Sequence, residues 1–139
     1  MAATVYPRFY AIDEVGNLVD SVPRQRGTGR DKRDSMYVVA WADRGMVKVG
    51  FSSDWRRRTG SYATHGGAVL AVVFFNNCDD AFQAELDAKD VLSSYQRSFQ
   101  SRFESTPFLG SSGSGWTECF DVPVGHHDVA AQLIVRWIA

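Results

Sequence analysis

The stretch VKVGFSSDWRRRTGSY, residues 47–62, sets Lys48, Arg58 and Tyr62 around one glycine turn. A compact ammonium, a forked guanidinium and a phenol are together suited to an anion. The guanidinium can grip two oxygens of a phosphate at once, whereas the ammonium acts as a point charge. Tyr62 follows Arg58 by four residues, one helical turn on the same face. Tyr37, in the preceding apolar run MYVV, offers a second phenol. Arg56 and Arg57 read as a solvated or phosphate-tracking face rather than as reacting groups.

These groups need elements to hold them. MYVVAWA (Met36 to Ala42) and MVKVGF (Met46 to Phe51) are rich in β-branched and aromatic residues and are separated by a turn ending in Gly45. That pattern predicts a β-hairpin. SDWRRRTGSY predicts a short helix with Ser53 or Asp54 as its N-cap, and AVLAVVFF (Ala68 to Phe75) predicts a buried strand. DDAFQAELDAKDVLSSYQRSFQSRF (Asp79 to Phe103) contains no Pro or Gly and predicts a long helix capped by Asp79 or Asp80. A short strand in TECFDVP and a closing helix over His126 to Ile138 follow; Val129, Leu133 and Trp137 recur along that helix at i, i+4 and i+8. Ahead of all this, Gly16-Asn17 can turn an N-terminal hairpin, and RQRGTGRDKR (Arg24 to Arg33) reads as a basic linker. The expected division is an N-terminal extension over 1–35 and an α+β domain over 36–139. Its small mixed sheet has about three core strands plus the N-terminal hairpin, and helices flank it.

On the long helix, Glu85 falls inside the arc made by Ala81, Ala88, Leu92, Tyr95 and Phe99. A carboxylate within an apolar stripe must find a partner, because burying an ion alone costs several kcal/mol. Two readings stand at this point. Glu85 can pair with Lys89 one turn on and lift its head to water, or it can point into a cleft and hold a hard divalent cation.

The order of these residues resembles the GIY-YIG nuclease superfamily. It is most similar to the short, often phage-borne branch whose second motif is K-I-G and whose last strand reads E-W-F. Tyr37 stands for the tyrosine of the first half-motif, and Lys48-Val49-Gly50 stands for the second, with Lys48 replacing its tyrosine. Arg58, eight residues after Gly50, matches the family arginine, and Tyr62 takes a place where members carry His or Tyr. Glu85 matches the metal-binding glutamate, and WTECF (Trp116 to Phe120) resembles the closing strand. The opening Gly-Ile is Ser35-Met36 here, and E-W-F has become E-C-F. The resemblance covers Met36 to Val122.

It implies metal-dependent cleavage of DNA phosphodiester bonds, with Glu85 holding Mg²⁺ or Mn²⁺ and Arg58 on the scissile phosphate. Tyr37 would be the general base. A free phenol titrates at about 10, so it needs help, which a cation at Lys48 can give. Tyr62 would bond a phosphate oxygen or position the water. Arg30, Lys32 and Arg33 of the basic segment, with Arg56 and Arg57, would contact the DNA backbone. A separate DNA-reading domain is not evident in the sequence, so specificity falls to that segment or to a protein partner. The alternative is a module that keeps the fold without turnover and binds nucleic acid or a host protein.

Other classes fit less well. The net charge is −1, yet eight of the fifteen basic residues sit in Arg24–Arg33 and Trp55–Arg58, so the charge is segregated. No apolar run reaches the roughly 18–20 residues of a membrane span, and the N-terminus lacks signal-peptide features. Cys78 and Cys119 make neither a disulfide framework nor a zinc site, which suits a cytoplasmic protein of a bacterial or phage-infected cell. His65, His126 and His127 lack ligand spacing to other donors.

Overall fold

The computed structural model describes residues 8–22, 33–98 and 119–138. Its strands are β1 (Arg8–Ile12), β2 (Leu18–Asp20), β3 (Asp34–Trp41), β4 (Met46–Ser52), β5 (Ala68–Phe75) and β6 (Cys119–Asp121). The helices are α1 (Trp55–Ala63), α2 (Cys78–Val91) and α3 (His127–Ile138). All six strands form one mixed sheet in the order β2-β1-β5-β3-β4-β6. The α+β class and the mixed sheet are as expected, and beside the two strands of the N-terminal hairpin the sheet holds four others where about three were expected. The N-terminal hairpin joins it, because β1 lies parallel to β5 with Phe9 opposite Val72. No helix among the described residues is long and apolar enough to cross a membrane.

Side-chain alternation divides the core into two faces. Tyr37, Val39 and Trp41 of β3 face α1, where they meet Met46, Trp55, Tyr62, Val72, Phe74 and Cys119. Met36, Val38 and Ala40 face the other way, onto Ala84, Ala88, Ile134 and Val135 of α2 and α3. Gly16 supplies the positive φ of the first hairpin turn, at 87°.

Two helices depart from expectation. α2 ends at Val91 and passes through a 3-10 turn, Leu92–Ser94, instead of running to Phe103. Ser93 Oγ donates to the Asp90 carbonyl at 2.6 Å, a local bond that competes with the helix ladder. The chain then extends to pair with β6: Arg97 bridges Phe120, and the Asp121 N–H donates to the Gln96 carbonyl at 2.8 Å. Tertiary pairing thus overrides helix propensity. Asn77, not Asp79 or Asp80, caps the helix, accepting from the Asp80 N–H at 2.8 Å while its amide donates back to Asp80 Oδ2 at 3.0 Å. On α3 the Val129, Leu133 and Trp137 stripe faces solvent, and Ala130, Ala131, Ile134 and Val135 are buried instead.

Candidate functional site

Tyr37 and Gly50 are direct partners across the β3–β4 ladder. The tyrosine ring lies flat over the glycine, so a Cβ at position 50 would come within 2.4 Å of Tyr37 Oη and 2.6 Å of Cζ. Gly50 is therefore required for space, not for backbone conformation. The ring so placed meets Tyr62 of α1, with the two hydroxyl oxygens 3.4 Å apart. Trp41 braces Tyr62 from the side, edge-on at 5.7 Å between ring centroids. Trp41 in turn fills the space beside Gly67, where a Cβ would stand 2.9 Å from its Cε2.

Lys48 comes from the same side of β4. Its Nζ stands 5.8 Å from the centre of the Tyr62 ring, within cation–π range. Tyr37 and Lys48 are each 2% exposed and Tyr62 is 4% exposed. Three of the residues singled out in the sequence thus gather in one buried cluster between sheet and helix.

Beside that cluster α1 begins. Asp54 is its N-cap, with Oδ1 accepting from the Arg57 N–H at 3.3 Å, and Ser52 Oγ accepts from the Asp54 N–H at 2.9 Å. The turn opens a cleft of about 520 Å³ lined by Ser52, Ser53, Asp54, Arg57, Arg58 and Ser61. Arg58 stands at its rim, exposed, one helical turn before the buried Tyr62. Two guanidiniums and three hydroxyls make a donor-rich hollow of the kind that takes an oxyanion. From the sequence the serines carry no site assignment: Ser52 and Ser53 read as turn or cap residues, and their signal is their place between a strand end and an arginine-bearing helix. Ser61 lies within α1, one turn after Arg57 and Arg58.

The remaining candidates lie elsewhere. Arg56 turns back over Trp55, its Cζ 5.0 Å from the ring. Arg33 stacks on Phe74 at 3.7 Å and donates to the Val22 carbonyl at 3.1 Å. Arg30 and Lys32 are outside the described residues. Glu85 is buried at 2% exposed, on a helix whose Ala84 and Ala88 pack against the sheet face opposite α1. Lifting to bulk water beside Lys89 is therefore not its position.

β6 pairs with β4 over Met46–Lys48, leaving Val49–Ser52 without an outer partner among the described strands. α2 passes that half on its own side of the sheet: Phe82 meets the Phe51 ring at 5.2 Å, and Phe51 pairs across the ladder with Met36, which faces α2. No group of three or more His, Cys, Asp or Glu among the described residues could hold a metal. A lone carboxylate still suits Mg²⁺, which keeps several waters and takes substrate phosphate as ligand. No family model, curated protein or solved structure matches the chain.

Proposed function

We propose that the protein is a metal-dependent endonuclease that hydrolyses DNA phosphodiester bonds in the manner of the GIY-YIG nucleases. The observation that carries this reading is the buried Tyr37–Tyr62–Lys48 cluster lying directly beside the Arg57–Arg58 cleft. A phosphate seated in the cleft would meet the Arg57 and Arg58 guanidiniums, with the buried Tyr62 one helical turn after Arg58.

In this scheme Arg58 holds the scissile phosphate and stabilises the charge that gathers on its oxygens in the transition state. Tyr37 takes the proton of the attacking water, with the Lys48 ammonium nearby favouring the phenolate. Tyr62 orients that water through its hydroxyl. Glu85 would hold Mg²⁺ or Mn²⁺, which when bound neutralises phosphate charge. Target choice is left to the basic N-terminal segment or to a protein partner.

Nicking of supercoiled plasmid with Mg²⁺ or Mn²⁺ tests the reading. Arg58→Ala should lower the rate by about 10²–10³-fold. Tyr37→Phe should lower it by about 10²–10⁴-fold. Glu85→Ala should abolish metal-dependent cleavage, and equal residual cleavage in all variants and wild type would remove the proposal.

A second reading has its own support. Tyr37, Lys48 and Glu85 are each 2% exposed, which leaves little room for substrate at the phenols or for water around a cation. A module that keeps this scaffold to bind nucleic acid, or a host protein, without turnover fits that burial. Salt-dependent DNA binding that survives Glu85→Ala, with no cleavage under either metal, would favour it.

A further inference from the structure

The two basic segments of the sequence, 24–33 and 55–58, are separated by more than twenty residues, yet the fold brings Arg33 and α1 to the same face of the sheet. They are joined by aromatic rings. Arg33 Cζ sits 3.7 Å from the Phe74 ring, Phe74 lies 6.4 Å from Trp55, and Arg56 Cζ lies 5.0 Å from Trp55. Phe9, from the N-terminal hairpin, packs on both rings, stacked at 6.4 Å on Phe74 and tilted at 5.3 Å against Trp55. Phe74 and Trp55 are buried, while Arg33 and Arg56 above them are half-buried.

We infer that this face is a continuous nucleic-acid backbone track, running from the Arg57–Arg58 cleft across Arg56 to Arg33, with the N-terminal hairpin as its far support. The inference rests on the nucleic-acid reading of the cleft and extends it to a footprint.

Two arguments support the track. First, the arginines are positioned in advance. Arg33 is clamped to the end of the hairpin, donating to Ser21 Oγ at 3.4 Å and to the Val22 carbonyl at 3.1 Å. A stacked, bonded guanidinium loses less freedom on meeting a phosphate than a loose lysine does. Second, the cleft end is rich in cations: Asp54 is the one carboxylate lining it, beside Arg57 and Arg58, and it accepts from the Arg57 N–H. The ring-to-ring path limits the Arg33–Arg56 separation to about 15 Å, or four to five nucleotides at the roughly 3.4 Å rise of one strand in a duplex.

Fluorescence anisotropy of a labelled 20-base-pair duplex and of a 20-nucleotide single strand, in EDTA and from 50 to 250 mM KCl, tests this without cleavage. For a duplex, Arg33→Gln and Arg56→Gln should each lower the slope of log K against log salt by about 0.9, and for a single strand by about 0.7. Each should weaken binding roughly fivefold at low salt. Arg33→Lys, which keeps the charge without the stacked fork, should retain most of the slope; this separates a charge role from a structural one. If Arg57→Gln and Arg58→Gln lower the slope but Arg33→Gln leaves both slope and affinity unchanged, the track is overturned and the cleft stands alone. If wild type binds neither probe at 50 mM KCl, the track falls as well. Slopes that drop as expected in a protein that never cleaves would uphold the track and remove only the nuclease.

Discussion

On β3, Met36, Val38 and Ala40 turn toward α2 and α3, while Tyr37, Val39 and Trp41 turn toward α1. The two faces are equally buried but differ in chemistry. The α2–α3 face is filled with Val, Ala, Leu and Ile beneath two helices. The α1 face packs aromatic rings, two phenol hydroxyls and the Lys48 ammonium beneath one nine-residue helix. Aliphatic packing of the first kind supplies most of a small domain's stability. Aromatic and polar packing of the second kind gives up some of that in return for positioned donors. Glu85 is the exception on the aliphatic side, a buried acid on α2.

The sharpest way to separate the faces is to damage the aliphatic one alone. Ile134 is fully buried in α3. Ile134→Ala should cost about 2–5 kcal/mol in urea unfolding through lost contacts and a residual cavity. Where the variant remains folded, DNA binding should be unaltered. A matching loss of binding would mean that the faces are not independent.

The reverse experiment is Gly50→Ala. Its added methyl collides with the Tyr37 ring, which cannot simply swing away because it is closed in by Tyr62 and the rest of the α1-side core. Overpacking of this kind should cost about 1–3 kcal/mol. The variant should also lose cleavage and change its near-ultraviolet circular dichroism, since the displaced group is a buried tyrosine packed against the Tyr62 ring. An unaffected Gly50→Ala protein would show that the ring does not lie over position 50 in solution.

Much of the α1 face was legible because its signals are local. The β3–β4 hairpin and a cap at Ser53 or Asp54 follow from periodicity and spacing within about ten residues. What was not legible depended on contacts distant in the chain. Nothing within Arg8–Ile12 says that it will lie parallel to Ala68–Phe75, sixty residues on. The end of α2 was hidden for the same reason, since Arg97 is drawn out by Phe120 from beyond the intervening segment. The cleft serines are a local miss of another kind: Ser52 and Ser53 serve a turn and a cap whether or not a cleft forms between them and Arg57, Arg58 and Ser61 of α1.

Within the α1 face a smaller effect distinguishes the phenol pair from ordinary packing. Tyr62→Phe removes one hydroxyl and keeps the ring against Trp41 and Tyr37. Because the oxygens stand 3.4 Å apart, the loss should lie near the lower end of the roughly 0.5–1.5 kcal/mol of a net hydrogen bond. Thermal unfolding should therefore change little while cleavage falls. A stability loss several times larger would make the hydroxyls structural rather than catalytic.

The smallest expected effect comes from α3, next door to the largest. Read by period, Val129, Leu133 and Trp137 form an apolar stripe at i, i+4 and i+8, and so do the residues one position on. The helix is apolar on both sides, so period alone does not choose between them. Size does: Ala130 and Ala131 let the backbone settle close to the sheet, whereas Trp137 would hold it away. Ile134 and Val135 then fall inward, and Leu133 is left 48% exposed. Leu133→Gln should accordingly change unfolding free energy by no more than about 0.5 kcal/mol, the range of a surface substitution. Set beside Ile134→Ala, one residue along, it measures which stripe the fold selected. A cost above about 1.5 kcal/mol at Leu133 would mean that something covers that face in solution, because an exposed leucine has little apolar contact to lose.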